Sequence, residues 1–201
     1  MGVGTVLTDW GVAARGLGGS SISGDRHVVA PFAGGALVAV IDGLGHGPEA
    51  AEAAEEAVAV LSAQPQEEPV ALIERCHERL RKSRGAVVSV ASIEEQSSRL
   101  HWLGVGNVEG VLVRPGEHEE RSSLLVRGGV VGYRLPRLLE SAHELRAGDT
   151  LLMATDGIRP RALREVPLEA TGEATAKAVL HAGSSRNDDA LVLAAVFGEP
   201  S

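Results

Sequence analysis

Four acidic sites in this sequence share one local design. Asp25, Asp42, Asp156 and the pair Asp188/Asp189 each stand at the end of an apolar run, beside Gly, Ser or Asn. One such residue is ordinary turn chemistry, because a short carboxylate bonds readily to nearby backbone. Four of them, each joined to its own apolar strand, form a set that can converge. Carboxylates brought close together repel one another, so convergence implies divalent cations between them. Oxygen-only ligation selects Mg²⁺ or Mn²⁺ over zinc, and the sequence offers no Cys/His ligand set. A pair of such ions roughly 4 Å apart is a common device for hydrolysing phosphate esters.

The elements that must position these residues follow from hydrophobic pattern. Residues 36 to 41, Ala-Leu-Val-Ala-Val-Ile, predict a strand buried on both faces that ends in Asp42-Gly43. Gly45 and Gly47 keep the next turn free of side chains, and Pro48 opens a helix over 49–62 rich in Ala and Glu. Val28–Ala30 is the preceding apolar piece, so the pattern predicts a hairpin with Asp25 on one arm and Asp42 on the other. Thr150–Ala154 predicts a second buried strand, ending in Thr155-Asp156-Gly157, and 190–197 a third, preceded by Asn187-Asp188-Asp189. A first strand is expected over Thr5–Thr8 and Trp10–Ala14, then a Gly/Ser-rich loop over 16–24.

Val70, Ile73, Cys76 (or His77) and Leu80 recur at helical spacing, which predicts an amphipathic helix to about Ser83. His77 and Glu78 read there as solvated or partly buried helix residues. From Gly85 the period becomes extended, and 86–93, 99–105 and 108–114 are expected to form an antiparallel meander. Residues 140–145 predict a further strand, 173–181 a short helix, and 183–186 a turn. Gly104–Gly110 has the look of a dinucleotide fingerprint, but its last glycine falls one residue late and a strand follows, which excludes that reading.

The totals narrow the field. The 201 residues suit one domain, and 2% aromatics demand a core of Val, Leu, Ala and Ile. A net charge of −8 disfavours nucleic acid or an anionic membrane surface as partner. The single cysteine, Cys76, cannot form an internal disulfide and reads as a buried thiol. No secretory or membrane-spanning run is evident, and a cytoplasmic protein is expected. The absence of a Gly-x-x-x-x-Gly-Lys-Ser/Thr loop argues against a nucleotide-hydrolysing enzyme of that type.

Ser23-Gly24-Asp25, Val40-Ile41-Asp42-Gly43-Leu44-Gly45-His46-Gly47, Ala154-Thr155-Asp156-Gly157 and Asn187-Asp188-Asp189-Ala190 occur in order and at suitable separations. Together they resemble the metal-dependent serine/threonine phosphatases (the PPM or type 2C family), in the compact bacterial SpoIIE/RsbX-like branch. Val105-Gly106-Asn107-Val108-Glu109 and residues 128–136 strengthen the likeness to that branch, which spans about residues 8 to 197. The resemblance implies an α+β fold, an αββα sandwich of two antiparallel β-sheets flanked by helices. It implies two Mn²⁺ or Mg²⁺ ions, bridged by Asp42. The Gly43 carbonyl would bind one of them, Asp156 and Asp188 would complete the other site, and Asp25 would act mainly through a bound water. Asp189 falls in a supporting position. Many members carry His directly after the Asp-Gly, where this chain has Leu44; His46 is the alternative acid, and Arg15 and Arg26 are the candidates to hold phosphate.

The implied activity is removal of phosphate from phosphoserine or phosphothreonine on a protein. In this branch the expected partner is a phosphorylated STAS-domain protein of a bacterial stress-signalling complex, the stressosome, met by a monomeric enzyme. A broader phosphatase acting on an anti-anti-sigma factor and a catalytically weak phosphatase fold serving as a binding module are the alternatives. The second is disfavoured because every expected carboxylate is present.

Overall fold

The computed structural model describes residues 6–185 and 187–198. Thr5 of the expected first strand and Arg186 of the expected turn lie outside the described residues. The strands are β1 (Leu7–Arg15), β2 (Asp25–Phe32), β3 (Gly35–Gly43), β4 (Ala86–Glu94), β5 (Arg99–Val105), β6 (Glu109–Arg114), β7 (Glu120–Ser123), β8 (Val126–Arg127), β9 (Ser141–Glu144), β10 (Thr150–Ala154) and β11 (Ala190–Phe197). The helices are α1 (Pro48–Ala63), α2 (Pro69–Leu80), α3 (Pro160–Glu165) and α4 (Gly172–Gly183).

The strands form two sheets. One has the order β1-β11-β10-β6-β7, the other β2-β3-β4-β5-β8, with β9 also pairing to β5. All pairings are antiparallel except the short β5–β8 contact. Alternation along each strand sorts its side chains between two cores. On β3, Val38 and Val40 enter the layer between the sheets, where they meet Met153, Leu191 and Leu193. Leu37, Ala39 and Ile41 face outward and are covered by α1 and α2. Ala13, Val192 and Ala194 on the first sheet are covered in the same way by α3 and α4. The order of layers is therefore helix, sheet, sheet, helix, as expected.

Small residues set how close the helices come. Ala50, Ala53, Ala54 and Ala57 of α1 are fully buried, and a Cβ on Gly43 would overlap the carbonyl oxygen of Ala50. The core is aliphatic apart from a few large groups such as Trp102. That ring fits because Gly110 opposite it has no side chain, and its Nε1–H donates to the Leu125 carbonyl at 2.8 Å. Cys76 is buried beneath α1, and burial pushes its thiol up to about 12, as expected of an inert packing residue.

One expectation fails. The stretch from 86 to 114 is not a three-stranded meander: β4 pairs with β5, but β6 crosses to the other sheet and pairs with β10 and β7. The crossing is made at Gly106, whose φ of +110° no side chain adopts comfortably. A Cβ there would also run into Val87. The helix α3 and the short strands β7 and β8 were not predicted by the pattern.

Candidate active site

The rows of side chains that fill the layer between the sheets change character at one end of the sandwich. On β3 the row Val38, Val40 continues to Asp42, and on β2 Val29 and His27 lead to Asp25. On the other sheet Leu151 and Met153 lead to Thr155, and Leu193 and Leu191 lead back to Asp189. Four apolar rows thus end in polar groups at one edge, which puts carboxylates at the rim of a rigid core.

Asp25 and Asp42 are direct partners across the β2–β3 ladder. The neighbouring pair is closed by Gly43 N–H donating to the Gly24 carbonyl at 3.1 Å. Asp25 and Asp42 therefore form a non-hydrogen-bonded pair, in which the Cα atoms are only about 4.5 Å apart and side chains lie closest. Like charges placed this way are destabilising. Burial, followed by the negative charges of Asp25, Asp156, Asp188 and Asp189, raises Asp42 to about 8. Burial also raises Asp25 to about 7; the hydrogen bond from Thr155 opposes this, and Asp189, Asp156 and Asp188 add to it. Asp156 is raised by burial and by Asp188, against the hydrogen bond from Asn107. Asp25 and Asp42 therefore feel the charges of the other aspartates through a shared site.

Asp25, Asp156, Asp188 and Asp189 are held by identifiable contacts. Thr155 Oγ1 donates to Asp25 Oδ2 at 2.8 Å and accepts from Leu191 N–H at 2.9 Å. Asn107 Nδ2 donates to Asp156 Oδ2 at 2.8 Å. Asp188 Oδ1 accepts from the Asp189 N–H at 2.9 Å. Asp189 turns both oxygens to backbone, accepting from Leu17 N–H and Gly24 N–H at 2.7 Å each. That fixes the Gly/Ser-rich loop and fits Asp189 to its supporting position. A Cβ on Gly157 would overlap the Asp189 carbonyl oxygen, so the two Asp-bearing tips touch through bare backbone.

Among the described residues, no three carboxylate, histidine or cysteine side chains are gathered closely enough to form a ready-made ligand cage. The chemistry of the aspartates nonetheless suits a hard divalent cation, because the donors are oxygens only and three of them, Asp25, Asp42 and Asp156, carry raised proton affinities that a cation would reverse.

Other expected residues fall differently. His46 and Leu44 are exposed, on the turn between β3 and α1. Arg26 donates to the carbonyls of Ser23 and Asp25 and pairs with Glu55 at 2.7 Å. Arg15 donates to the Ser185 carbonyl. Both arginines are engaged with backbone carbonyls or with Glu55. The roles of Thr155 and Asn107 escaped sequence reasoning, although both lie inside motifs it singled out; their partners are 130 and 49 positions away. Among the described residues no helix is long and apolar enough to cross a membrane.

Comparison with known proteins agrees with this architecture. The family model described as Stage II sporulation protein E (SpoIIE) matches residues 33–197. The phosphoserine phosphatase RsbX of Bacillus subtilis (strain 168) is 31% identical over 97 residues, 48% of this chain. That match covers about half, 49%, of the RsbX sequence. Among solved structures, a chain from work on the bacterial stressosome as a modular system adapted to control secondary messenger signalling superposes with a TM-score of 0.82. It is 30% identical and the match covers 93% of this chain and 98% of that one. RsbX crystallised with magnesium gives a TM-score of 0.80 at 24% identity, covering 92% of this chain and 93% of that one, and supports the fold. The match to most of its length places the chain in the SpoIIE family, to which it belongs.

Proposed function

We propose that the protein is a metal-dependent serine/threonine protein phosphatase whose substrate is a phosphorylated STAS-domain component of a bacterial stress-signalling complex. The observation that carries the reading is the placement of Asp25, Asp42, Asp156 and Asp188 at one end of the sandwich. There burial and mutual repulsion raise Asp42 to about 8 and Asp25 to about 7. In this reading Asp42, the Gly43 carbonyl, Asp156 and Asp188 hold two Mn²⁺ or Mg²⁺ ions, and Asp25 serves the same site. When bound, divalent cations would neutralise the phosphoryl oxygens and make water a stronger nucleophile at neutral pH.

The chain's own residues do the positioning. Thr155 fixes the Asp25 carboxylate, Asn107 fixes Asp156, and Asp189 anchors the loop that leads into Asp25. Rigid strand tips hold these groups in place, so little reorganisation accompanies the chemistry. The resemblance to RsbX and to a stressosome-associated chain supports the choice of partner. The negative net charge fits a partner other than nucleic acid or an anionic membrane surface, and the enzyme is read as a monomer acting in the cytoplasm. The test is incubation with candidate phosphorylated STAS-domain proteins in Mn²⁺, with an EDTA control. Release of phosphate only when metal is available is expected. Failure to release phosphate from any STAS partner, while small phosphoesters are hydrolysed, contradicts the assigned partner.

A further inference from the structure

On β1 the row of side chains that faces the layer between the sheets is the exposed one. Trp10, Val12 and Ala14 stand directly opposite Ala195, Leu193 and Leu191 of β11. Those three fill the inner layer, and residues opposite one another share a face. Yet Trp10 is 45% exposed, Ala14 is exposed and Val12 is half-buried. On the outer face of β1, Ala13 is buried beneath the helices, and Gly11 lies against Glu173 of α4. The cause is topological: β1 ends one sheet and β2 ends the other, and β2 approaches β11 more closely than β1.

An apolar cleft results. Its floor is Trp10, Val12 and Ala14, and its wall is the inner row of β2, His27, Val29 and Pro31. Trp10 and His27 meet across it, with ring centroids 6.1 Å apart and planes tilted by 51°. Strand register places both ends. Ala14 stands opposite Leu191, two residues from Asp189, and His27 is two residues from Asp25 on the same face. One end therefore opens roughly 7 Å along the strands from the carboxylates. Val29 and Pro31 are four and six residues from Asp25, roughly 13 and 20 Å along β2. There the cleft deepens into a cavity of about 80 Å³, with Leu7, Trp10, Val29, Pro31 and Ala36 in its lining.

Three features fix the occupant. The wall is the same row that ends in Asp25, so the cleft receives the chain that carries the phosphoryl group. Among the described residues β1 pairs with β11 alone, and a free strand edge accepts an extended chain through backbone hydrogen bonds. The cavity is lined by apolar residues only, which excludes a charged side chain. It is also smaller than the roughly 150 Å³ that holds benzene, so it suits an aliphatic group the size of valine. We propose that this cleft binds an extended segment of the substrate protein next to the phosphorylated residue. A small aliphatic side chain four to six positions away would sit beside Trp10. This rests on the reading of the Asp42 end as a phosphatase site and adds a specificity determinant to it.

Two phosphoserine peptides test it, identical except for valine or serine at the fourth to sixth positions on both sides of the phosphoserine. p-Nitrophenyl phosphate, too short to reach Trp10, serves as the reference substrate. In Mn²⁺ the wild type should favour the valine peptide by about tenfold in kcat/KM, the scale of burying one valine side chain. Trp10→Ser removes the largest side chain of the cavity, and Ala14→Gln obstructs the exposed floor between the cavity and the carboxylates. Each should cut the preference to below about twofold and leave p-nitrophenyl phosphate turnover unchanged. Hydrolysis of p-nitrophenyl phosphate without a valine preference, or a preference that survives either substitution, overturns the cleft's role and leaves the phosphatase reading standing. So does a wild-type dimer in sedimentation that Trp10→Ser dissociates, because a second copy then covers the cleft. No turnover of p-nitrophenyl phosphate or either peptide overturns the phosphatase reading, and the cleft's role with it.

Discussion

The hydroxyl of Thr155, at the tip of one sheet, donates a 2.8 Å hydrogen bond to Oδ2 of Asp25, at the tip of the other. The Thr155 hydroxyl oxygen also accepts the Leu191 N–H at 2.9 Å, so one buried side chain ties both sheets and the β11 backbone at the site. Thr155→Val keeps the shape and removes both bonds. It leaves the Leu191 amide without its acceptor, at an expected cost of about 1–3 kcal/mol in urea unfolding. The Mn²⁺ concentration for half-maximal activity should also rise about tenfold. Thr155→Ser should restore both. Equal stability and equal Mn²⁺ response in Thr155→Val would show that the bond does no positioning.

The pH dependence of the metal-free protein follows from the paired aspartates. Their folded values, about 7 for Asp25 and about 8 for Asp42, lie above the ordinary value of 3.8 for an unfolded Asp. Between those limits the folded chain keeps protons that the unfolded chain has released. Stability in EDTA should therefore fall as pH rises from 5 to 8, with a slope of up to about 1.4 kcal/mol per pH unit for each proton. Asp42→Asn removes one of the charges. Its melting temperature in EDTA at pH 8 should match or exceed that of the wild type, and its pH slope should be shallower. A large loss of stability in Asp42→Asn would mean that Asp42 serves the fold.

How much of this was legible in the sequence can be judged residue by residue. The strand over 36–41 and its Asp-Gly end were readable because a run buried on both faces has no other local solution, and β10 repeats the device. The Ala-rich α1 and the stripe of α2 were readable from composition and period. The departure of β6 to the other sheet was not: Val111 and Val113 alternate as they would in either sheet, and the choice is made by pairing with β10, some 40 positions away. Helix α3 is six residues long, too short to express a period. Asp25, Asp42, Asp156 and Asp188 were legible because each is announced by small residues at a strand end. Thr155 and Asn107 were not, because their partners are fixed only by the stacking of two sheets.

Far from the candidate site, Asp149 marks the opposite end of β10. Its side chain is 1% exposed and takes two bonds from Arg114, at 3.1 and 2.8 Å, and one from Arg146 N–H at 2.9 Å. Arg114→Met strips the buried carboxylate of its half-buried charged partner, and leaving such an acceptor short of its hydrogen bonds costs about 1–3 kcal/mol. Urea unfolding should show that loss, with kcat/KM for p-nitrophenyl phosphate unchanged per folded molecule. Wild-type stability in Arg114→Met would contradict a structural role for the pair.

Divalent cations held by the aspartates at the Asp42 end of the sandwich should carry the hydrolysis of phosphate esters. The most direct measurement is hydrolysis of p-nitrophenyl phosphate by the wild type and by Asp42→Asn, first in EDTA and then across a Mn²⁺ titration. Expected are no turnover in chelator, saturable recovery in the wild type, and a loss of at least about a hundredfold in Asp42→Asn at every Mn²⁺ concentration. Full activity in EDTA, or an Asp42→Asn enzyme that recovers like the wild type, would contradict this expectation.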